Sequence, residues 1–201
     1  MYCILIAGIP ASGKSTAAEE LSKRLSLPSF SKDRIKECLY DTVGFRSRGE
    51  KEALGLASMR ILYETAERLM RCGQPFILEN NFENTSRDPL MKLLERYSCI
   101  GITVLLTGDF PTLYRRFLRR NADPSRHRGH VVNDSYPEKP GGRQEIPLSC
   151  EDFVKGVTER GMNSFSANGP CLTVDTTDFS TVSYDAIAGR IRAIQKEVSN
   201  D

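Results

Sequence analysis

The eight residues Gly8-Ile9-Pro10-Ala11-Ser12-Gly13-Lys14-Ser15 match the spacing G-x-x-x-x-G-K-[ST] at every fixed position. Before them runs a short apolar segment, YCILIA at residues 2–7. After them Ala17, Ala18, Leu21 and Leu25 recur at helical spacing. A buried strand, a glycine turn and a helix N-terminus in this order constrain the fold more than any other feature. Gly8 and Gly13 let the backbone curl so that successive N–H groups point inward, and the helix adds the positive end of its dipole. Such a loop binds phosphate. Lys14 is expected to reach the β- and γ-phosphates of a nucleoside triphosphate, and the Ser15 hydroxyl to ligate Mg²⁺. The expected nucleotide contacts run through Gly8, Ile9, Pro10, Ala11, Ser12, Gly13, Lys14, Ser15 and Thr16. A chance glycine turn is the competing reading, and the flanking strand and helix argue against it.

The rest of the chain alternates strands with helices. Strands are expected at SFSKD after Pro28, at Phe76–Leu78, at Ile100–Leu106 and at Cys171–Val174. Helices are expected near Arg34–Tyr40, Glu50–Arg71, Leu90–Tyr97, Thr112–Asn121, Glu151–Arg160 and Tyr184–Val198, with Cys72-Gly73 stopping the long one. Asp123 to Pro147, rich in Pro, Gly, Arg and His, reads as a mobile excursion rather than a packed element. The alternation predicts an α/β domain with a parallel sheet covered on both faces. Ligands of such sheets sit beyond the carboxyl ends of the strands. Gly8–Ser15, Asp33 and Glu79 all fall there.

Composition narrows the class. With 201 residues, the chain suits a single domain over 1–201; 39% hydrophobic and 27% charged residues are ordinary for a soluble protein. A net charge of +2 is small for a nucleic-acid binder. The six cysteines form no C-x-x-C pair, which argues against zinc and for reduced thiols in the cytoplasm. The N-terminus lacks a basic region, and no apolar stretch reaches the length of a membrane span.

Four further sites carry candidate chemistry. Glu79, at a strand end, is placed to hold Mg²⁺ with Ser15, directly or through water, or is simply a solvated loop acid. Asp33 suits a carboxylate that orients an acceptor hydroxyl and takes its proton, and suits equally the N-cap of the next helix. Arg34 either clamps an anionic group of the acceptor or coats the helix. Between Arg115 and Arg128 six arginines and His127 face one acid, Asp123. Arg116 and Arg120 share a helix face, as do Arg115 and Arg119. One such face turned to the loop would stabilise charge on a transferring phosphoryl group, and a hinged basic segment over about 121–147 fits a lid that excludes water. A solvated or RNA-binding surface is the alternative, weakened by the scarcity of aromatics among the arginines. His127 and His130 suit phosphate or substrate contact, or plain exposure, better than metal ligation, because the surrounding cations would repel a metal. No N-K-x-D segment is present to read guanine, which argues against a GTPase.

GIPASGKST, FSKDRIKE, FILENNFENTSRD, LYRRFLRR with RHRGH, and the late CLTVDTTD occur in that order. With them the chain resembles, over nearly its whole length, the P-loop kinases of the adenylate-kinase-like group. It is most similar to the AAA-type "predicted kinases" related to the kinase domain of polynucleotide kinase and to zeta toxins. The resemblance implies a three-layer sandwich whose five-stranded parallel sheet has the order 2-3-1-4-5, with a basic lid between strands four and five. It implies that Asp33 is the general base and that Arg116 and Arg120, not Arg115 and Arg119, are the paired lid arginines. It places Thr176, Thr177 and Asp178 at the adenine pocket, with Thr177 a nucleotide contact. Asn80, Asn81 and Phe82 fall on the acceptor side, and the acceptor contacts expected are Asp33, Arg34, Asn81, Arg87 and Arg128. Glu79 stands where polynucleotide kinases usually have Asp.

The expected activity is ATP-dependent phosphoryl transfer to a hydroxyl of a small molecule or nucleotide, with ATP and Mg²⁺ as cofactors and no membrane partner. Lys14, Asp33, Arg116 and Arg120 are the expected catalytic residues. A polynucleotide 5′-hydroxyl kinase is the alternative acceptor reading, and an ATP-binding regulatory or toxin–antitoxin module the alternative from another class.

Overall fold

The computed structural model describes residues 1–138 and 148–200, and its sheet follows from alternation within the apolar runs. Strand β1 (Tyr2–Gly8) turns Cys3, Leu5 and Ala7 to one face and Ile4 and Ile6 to the other, and all five are fully buried. A strand apolar on both faces requires cover on both. It lies at the centre of five parallel strands ordered β2 (Ser29–Ser31), β3 (Ile77–Glu79), β1, β4 (Ile100–Thr107), β5 (Cys171–Asp175). This is the order the resemblance implies.

Seven helices flank the sheet among the described residues: α1 (Lys14–Leu25), α2 (Lys32–Val43), α3 (Arg48–Arg71), α4 (Asn84–Arg96), α5 (Phe110–Ala122), α6 (Cys150–Glu159) and α7 (Tyr184–Asn200). On one face Leu62, Ala66 and Met70 of α3 and Leu90 and Leu94 of α4 pack with Leu5, Ala7, Phe76 and Leu78. On the other, Ala17 and Leu21 of α1 and Ile187 and Ile191 of α7 pack with Ile4, Ile6, Ile77, Ile102 and Val104. Beneath the glycine loop, Ile9 joins Leu113 of α5 and Phe153 and Val157 of α6. No helix among the described residues is long and apolar enough to cross a membrane.

Register sets the site. Glu79 lies opposite Ile6 of β1 and Ser31 of β2, and Gly8 lies opposite Leu106 of β4. β2 and β3 therefore end together, β1 runs two residues further, and the loops leaving all three open on one shared space.

Three expectations need correction. Helix α4 begins at Asn84, not near Leu90, and contains Pro89. The proline removes one helical N–H, and the start is instead anchored by Asn84 N–H and Nδ2, which donate to the carbonyls of Arg160 (2.9 Å) and Glu159 (3.0 Å). Helix α2 begins at Lys32, and its N-cap is Ser31, not Asp33. Residues 123–138 are a packed element, not a mobile excursion. They contain a 3₁₀ turn, Arg128–His130, and bury Val132 with Tyr40 and Phe45. Gly129 lies so close to the Tyr40 ring that an added Cβ would fall 2.3 Å from it. Phe45 bridges Tyr136 through paired backbone bonds, and the Lys51 ammonium donates to the Val132 carbonyl. The aromatics that anchor this segment, Tyr40 and Phe45, lie far back in the chain, out of reach of its local turn composition. Residues 139–147, the remainder of the expected lid, lie outside the described residues.

A Cβ at Gly8 would sit 2.0 Å from the Leu106 carbonyl oxygen, on a backbone with φ of +131°. Gly8→Ala is therefore expected to destabilise the fold by at least about 3 kcal/mol, read from the urea midpoint. A loss under about 0.5 kcal/mol would contradict the tight β1–β4 approach at this point.

Candidate active site

The loop's shape comes from left-handed backbone at two places. Ala11 has φ of 65°, and Gly13, the N-cap of α1, has φ of 88°. Lys14 folds back along the loop, where its ammonium donates to the carbonyls of Gly8 (3.1 Å) and Ile9 (2.9 Å) and is only 7% exposed. Burial drives its pKa down to about 8; Arg120 and Arg126 add to this, and Glu79 and Asp33 oppose it. The Ser12 hydroxyl is buried with no partner among the described residues. An orphaned hydroxyl and a desolvated ammonium in one glycine loop are what an oxyanion would satisfy. Ser15 and Thr16 are exposed at the loop's mouth.

Glu79 is buried at the end of β3 and accepts the Ser31 hydroxyl proton. Burial pushes its carboxyl up; Lys14 and the Ser31 bond oppose this, while Asp33 adds to it. Ser31 acts twice, since its oxygen also accepts the Arg34 N–H at the start of α2 (3.4 Å). One hydroxyl thereby fixes both the carboxylate and the helix that carries Asp33. Among the described residues no group of three acids, histidines or cysteines could hold a metal. A Mg²⁺ ion held mainly by phosphates and water needs only one carboxylate and one hydroxyl, and Glu79 with Ser15 fits that donor set.

Asp33 lies one residue inside α2, its side chain half exposed and 4.0 Å from the Arg126 guanidinium. Burial raises its carboxyl, but the combined fields of His130, Lys36, Arg126 and Lys14 outweigh this and hold it below its ordinary value. Arg120 comes into the same field from α5, with its Nε buried and unpartnered among the described residues. Lys14, Asp33, Glu79 and Arg120 therefore act electrostatically on one another.

Arg116 is held differently. It donates to the carbonyls of Thr176 (2.5 Å) and Thr177 (2.8 Å) after β5, and its guanidinium lies 3.9 Å over the Phe179 ring. That ring covers Gly13, where an added Cβ would meet it at 2.8 Å. The Thr177 hydroxyl accepts the Asp109 N–H (2.8 Å). The two arginines of one helix face are thus held differently, Arg116 by the carbonyls after β5 and Arg120 within the field of Asp33 and Glu79.

The remaining expected contacts are placed variously. Arg34 is exposed and donates to Glu37 (3.4 Å). Arg87 is exposed on α4, and Asn81 is half-buried just beyond Glu79. Arg128 forms a two-pronged pair with Glu138 (2.6 and 3.0 Å). His127 Nδ1 accepts the Gly129 N–H, so its proton sits on Nε2 and is donated to Asp41 (3.0 Å). His130 bonds Glu37 (3.0 Å) with only 8% of its side chain exposed. Reasoning from sequence missed Lys32, Lys36 and Tyr40. They recur every fourth residue along α2, a stripe beside Asp33 that was visible in the spacing.

Fold and site together define a P-loop protein of the kinase-like α/β type. Residues 3–135 match the family model AAA_33, described as an AAA domain, and the chain belongs to that family. No curated protein matches it in sequence. Among solved structures, a Chloroflexus aurantiacus protein assigned as a kinase is 28% identical, with a TM-score of 0.76 over 96% of this chain and 97% of that one. A gluconokinase from Sinorhizobium meliloti shares the fold at 14% identity, with a TM-score of 0.55 over 98% and 93% of the two chains. The Mycobacterium tuberculosis APS kinase, solved with AMPPNP and APS, shares it at 16% identity and a TM-score of 0.54 over 97% of each.

His130 supplies a pH test of the packed segment. Burial lowers its pKa to about 4, with Arg126 and Lys36 acting the same way against Asp33 and Glu37. The unfolded chain takes up this proton near pH 6.5, so below that pH it binds more protons than the folded state and stability falls. Between pH 6.5 and 4.5 the wild type is expected to lose on the order of 2 kcal/mol more than His130→Gln in urea unfolding. Equal losses would show that His130 is not buried as a neutral ring.

Proposed function

We propose that the chain is a kinase that moves the γ-phosphoryl group of MgATP to a hydroxyl of a small molecule or nucleotide. The observation that carries this reading is the convergence of Lys14, Glu79, Asp33 and Arg120, from four separate segments, on the space beyond β1, β2 and β3. A loop that only binds nucleotide has no use for a half-exposed, ionised carboxylate across from its lysine. The gluconokinase and the APS kinase that share the fold support a small-molecule acceptor.

In this reading the N–H groups of Ala11 and of residues 13–16 hold the phosphates, Pro10 having none and those of Ile9 and Ser12 being taken by backbone carbonyls, and the Lys14 ammonium leaves the Gly8 and Ile9 carbonyls to pair with the β- and γ-oxygens. Ser15 and Glu79 hold Mg²⁺, which when bound neutralises charge on the β- and γ-phosphates. The acceptor oxygen forms its bond to the γ-phosphorus as the bond to the bridging oxygen breaks, and ADP leaves. Asp33 orients the acceptor hydroxyl and receives its proton. A carboxylate held ionised suits that role, because transfer through a loose transition state needs positioning more than a strong base. Arg120 meets the charge on the transferring group. Arg116, fixed on Thr176 and Thr177, serves the nucleobase end with Phe179. Free cysteines fit a cytoplasmic enzyme.

The test is release of ADP from ATP against a panel of hydroxylated metabolites and oligonucleotides. With an accepted substrate, Asp33→Asn is expected to lower kcat by about 10³-fold while ATP affinity stays within about threefold. Turnover near the wild-type rate in that variant would remove Asp33 from the chemistry.

A further inference from the structure

Helix α2 turns a stripe of Lys32, Lys36 and Tyr40 toward the Asp33 side of the site, and these groups lack the partners their burial demands. Lys32 and Lys36 are half-buried and make no hydrogen bond or ion pair among the described residues. The Lys36 ammonium sits 5.4 Å from the Tyr40 ring centroid. Tyr40 is fully buried, its hydroxyl has no partner among the described residues, and it feels the Asp33 charge. From the packed segment opposite comes Arg126, with its side chain 17% exposed, its Nε unpartnered among the described residues, and its terminal nitrogen 4.0 Å from Asp33.

Few acids answer these cations. Asp33 and Glu83 share the field of Lys32 and Lys36, but Glu83 is already paired with Arg160 (3.5 Å). Glu37 is taken by His130 and Arg34. Lys14 and Arg120 lie on the loop side, where the triphosphate's own charge would use them. An excess of desolvated cations on the acceptor side is unfavourable until an anion arrives.

On the phosphotransfer reading above, we infer that the acceptor is an alcohol that itself carries an oxyanionic group, best matched by a phosphate monoester, seated on Lys32, Lys36 and Arg126. Its hydroxyl then faces Asp33. Arg34, the cation the sequence offered for this role, turns outward on the same helix. A dianionic phosphate answers the excess more fully than a single carboxylate does.

The test is calorimetric titration of inorganic phosphate into the protein saturated with Mg²⁺ and a non-hydrolysable ATP analogue. One phosphate site is expected, weakened at least about tenfold in Lys36→Met and in Lys32→Met and retained in Lys36→Arg, with cooperative melts in all three. Acetate is expected to bind at least about tenfold more weakly than phosphate. Absence of a phosphate site, affinity unchanged in both methionine variants, or acetate bound as tightly as phosphate would overturn the assignment. The same titration of Lys14→Met without nucleotide keeps the two readings apart. Failure of the analogue to bind the wild type counts against the donor, while phosphate bound or not bound by Lys14→Met still judges the acceptor.

Discussion

Everything in this site is arranged around a lysine kept out of water. Among the described residues the Lys14 ammonium has only the Gly8 and Ile9 carbonyls as hydrogen-bond acceptors, and its burial brings its pKa to about 8. A cation so placed is costly unless an anion replaces the lost solvent. The fold accepts that cost because the loop cannot move away. Gly8 is pressed against Leu106 of β4, and Ile9 is locked into the cluster with Leu113 and Phe153. The rigidity of the central strands thus becomes electrostatic tension at their carboxyl ends.

The neighbouring charges are held by the same register. Ser31 and Glu79 face each other across β2 and β3, so one hydroxyl positions the Glu79 carboxylate and starts the helix that carries Asp33. Across the space, α5 delivers Arg120, and the packed segment after it delivers Arg126. That segment is tied to α2 and α3 by Tyr40, Phe45, Lys51 and the Asp41–His127 and Glu37–His130 pairs. It packs beside helix α2 with aromatic contacts and brings Arg126 to within 4.0 Å of Asp33.

Much of this was legible in the chain. The phosphate loop, the buried strands and the level of Asp33 and Glu79 all follow from local periodicity, which neighbours in sequence determine. What was not legible depends on contacts distant in sequence. Asp33 and Ser31 were both chemically able to cap α2, and only the pairing of Ser31 with Glu79 separates them. Residues 123–138 looked like turn composition, because Tyr40 and Phe45, which bury Val132, lie some ninety positions earlier. Arg34 and Lys36 are equally basic on paper; the roll of α2 sends the first to Glu37 in solvent and the second toward Asp33. Arg116 and Arg120 share a face by spacing, yet the Thr176 and Thr177 carbonyls capture one and leave the other to the charged cluster.

The central claim is that Lys14 waits, partly deprotonated, for a triphosphate. It is tested most directly by calorimetry of MgATP binding at pH 8 in buffers of different ionisation enthalpy. Pairing with the phosphates returns the lysine to its charged form, so binding is expected to take up about half a proton at that pH and almost none at pH 6.5. Binding at pH 8 with no proton uptake would contradict the account, because the ammonium would then have been fully charged in the empty loop.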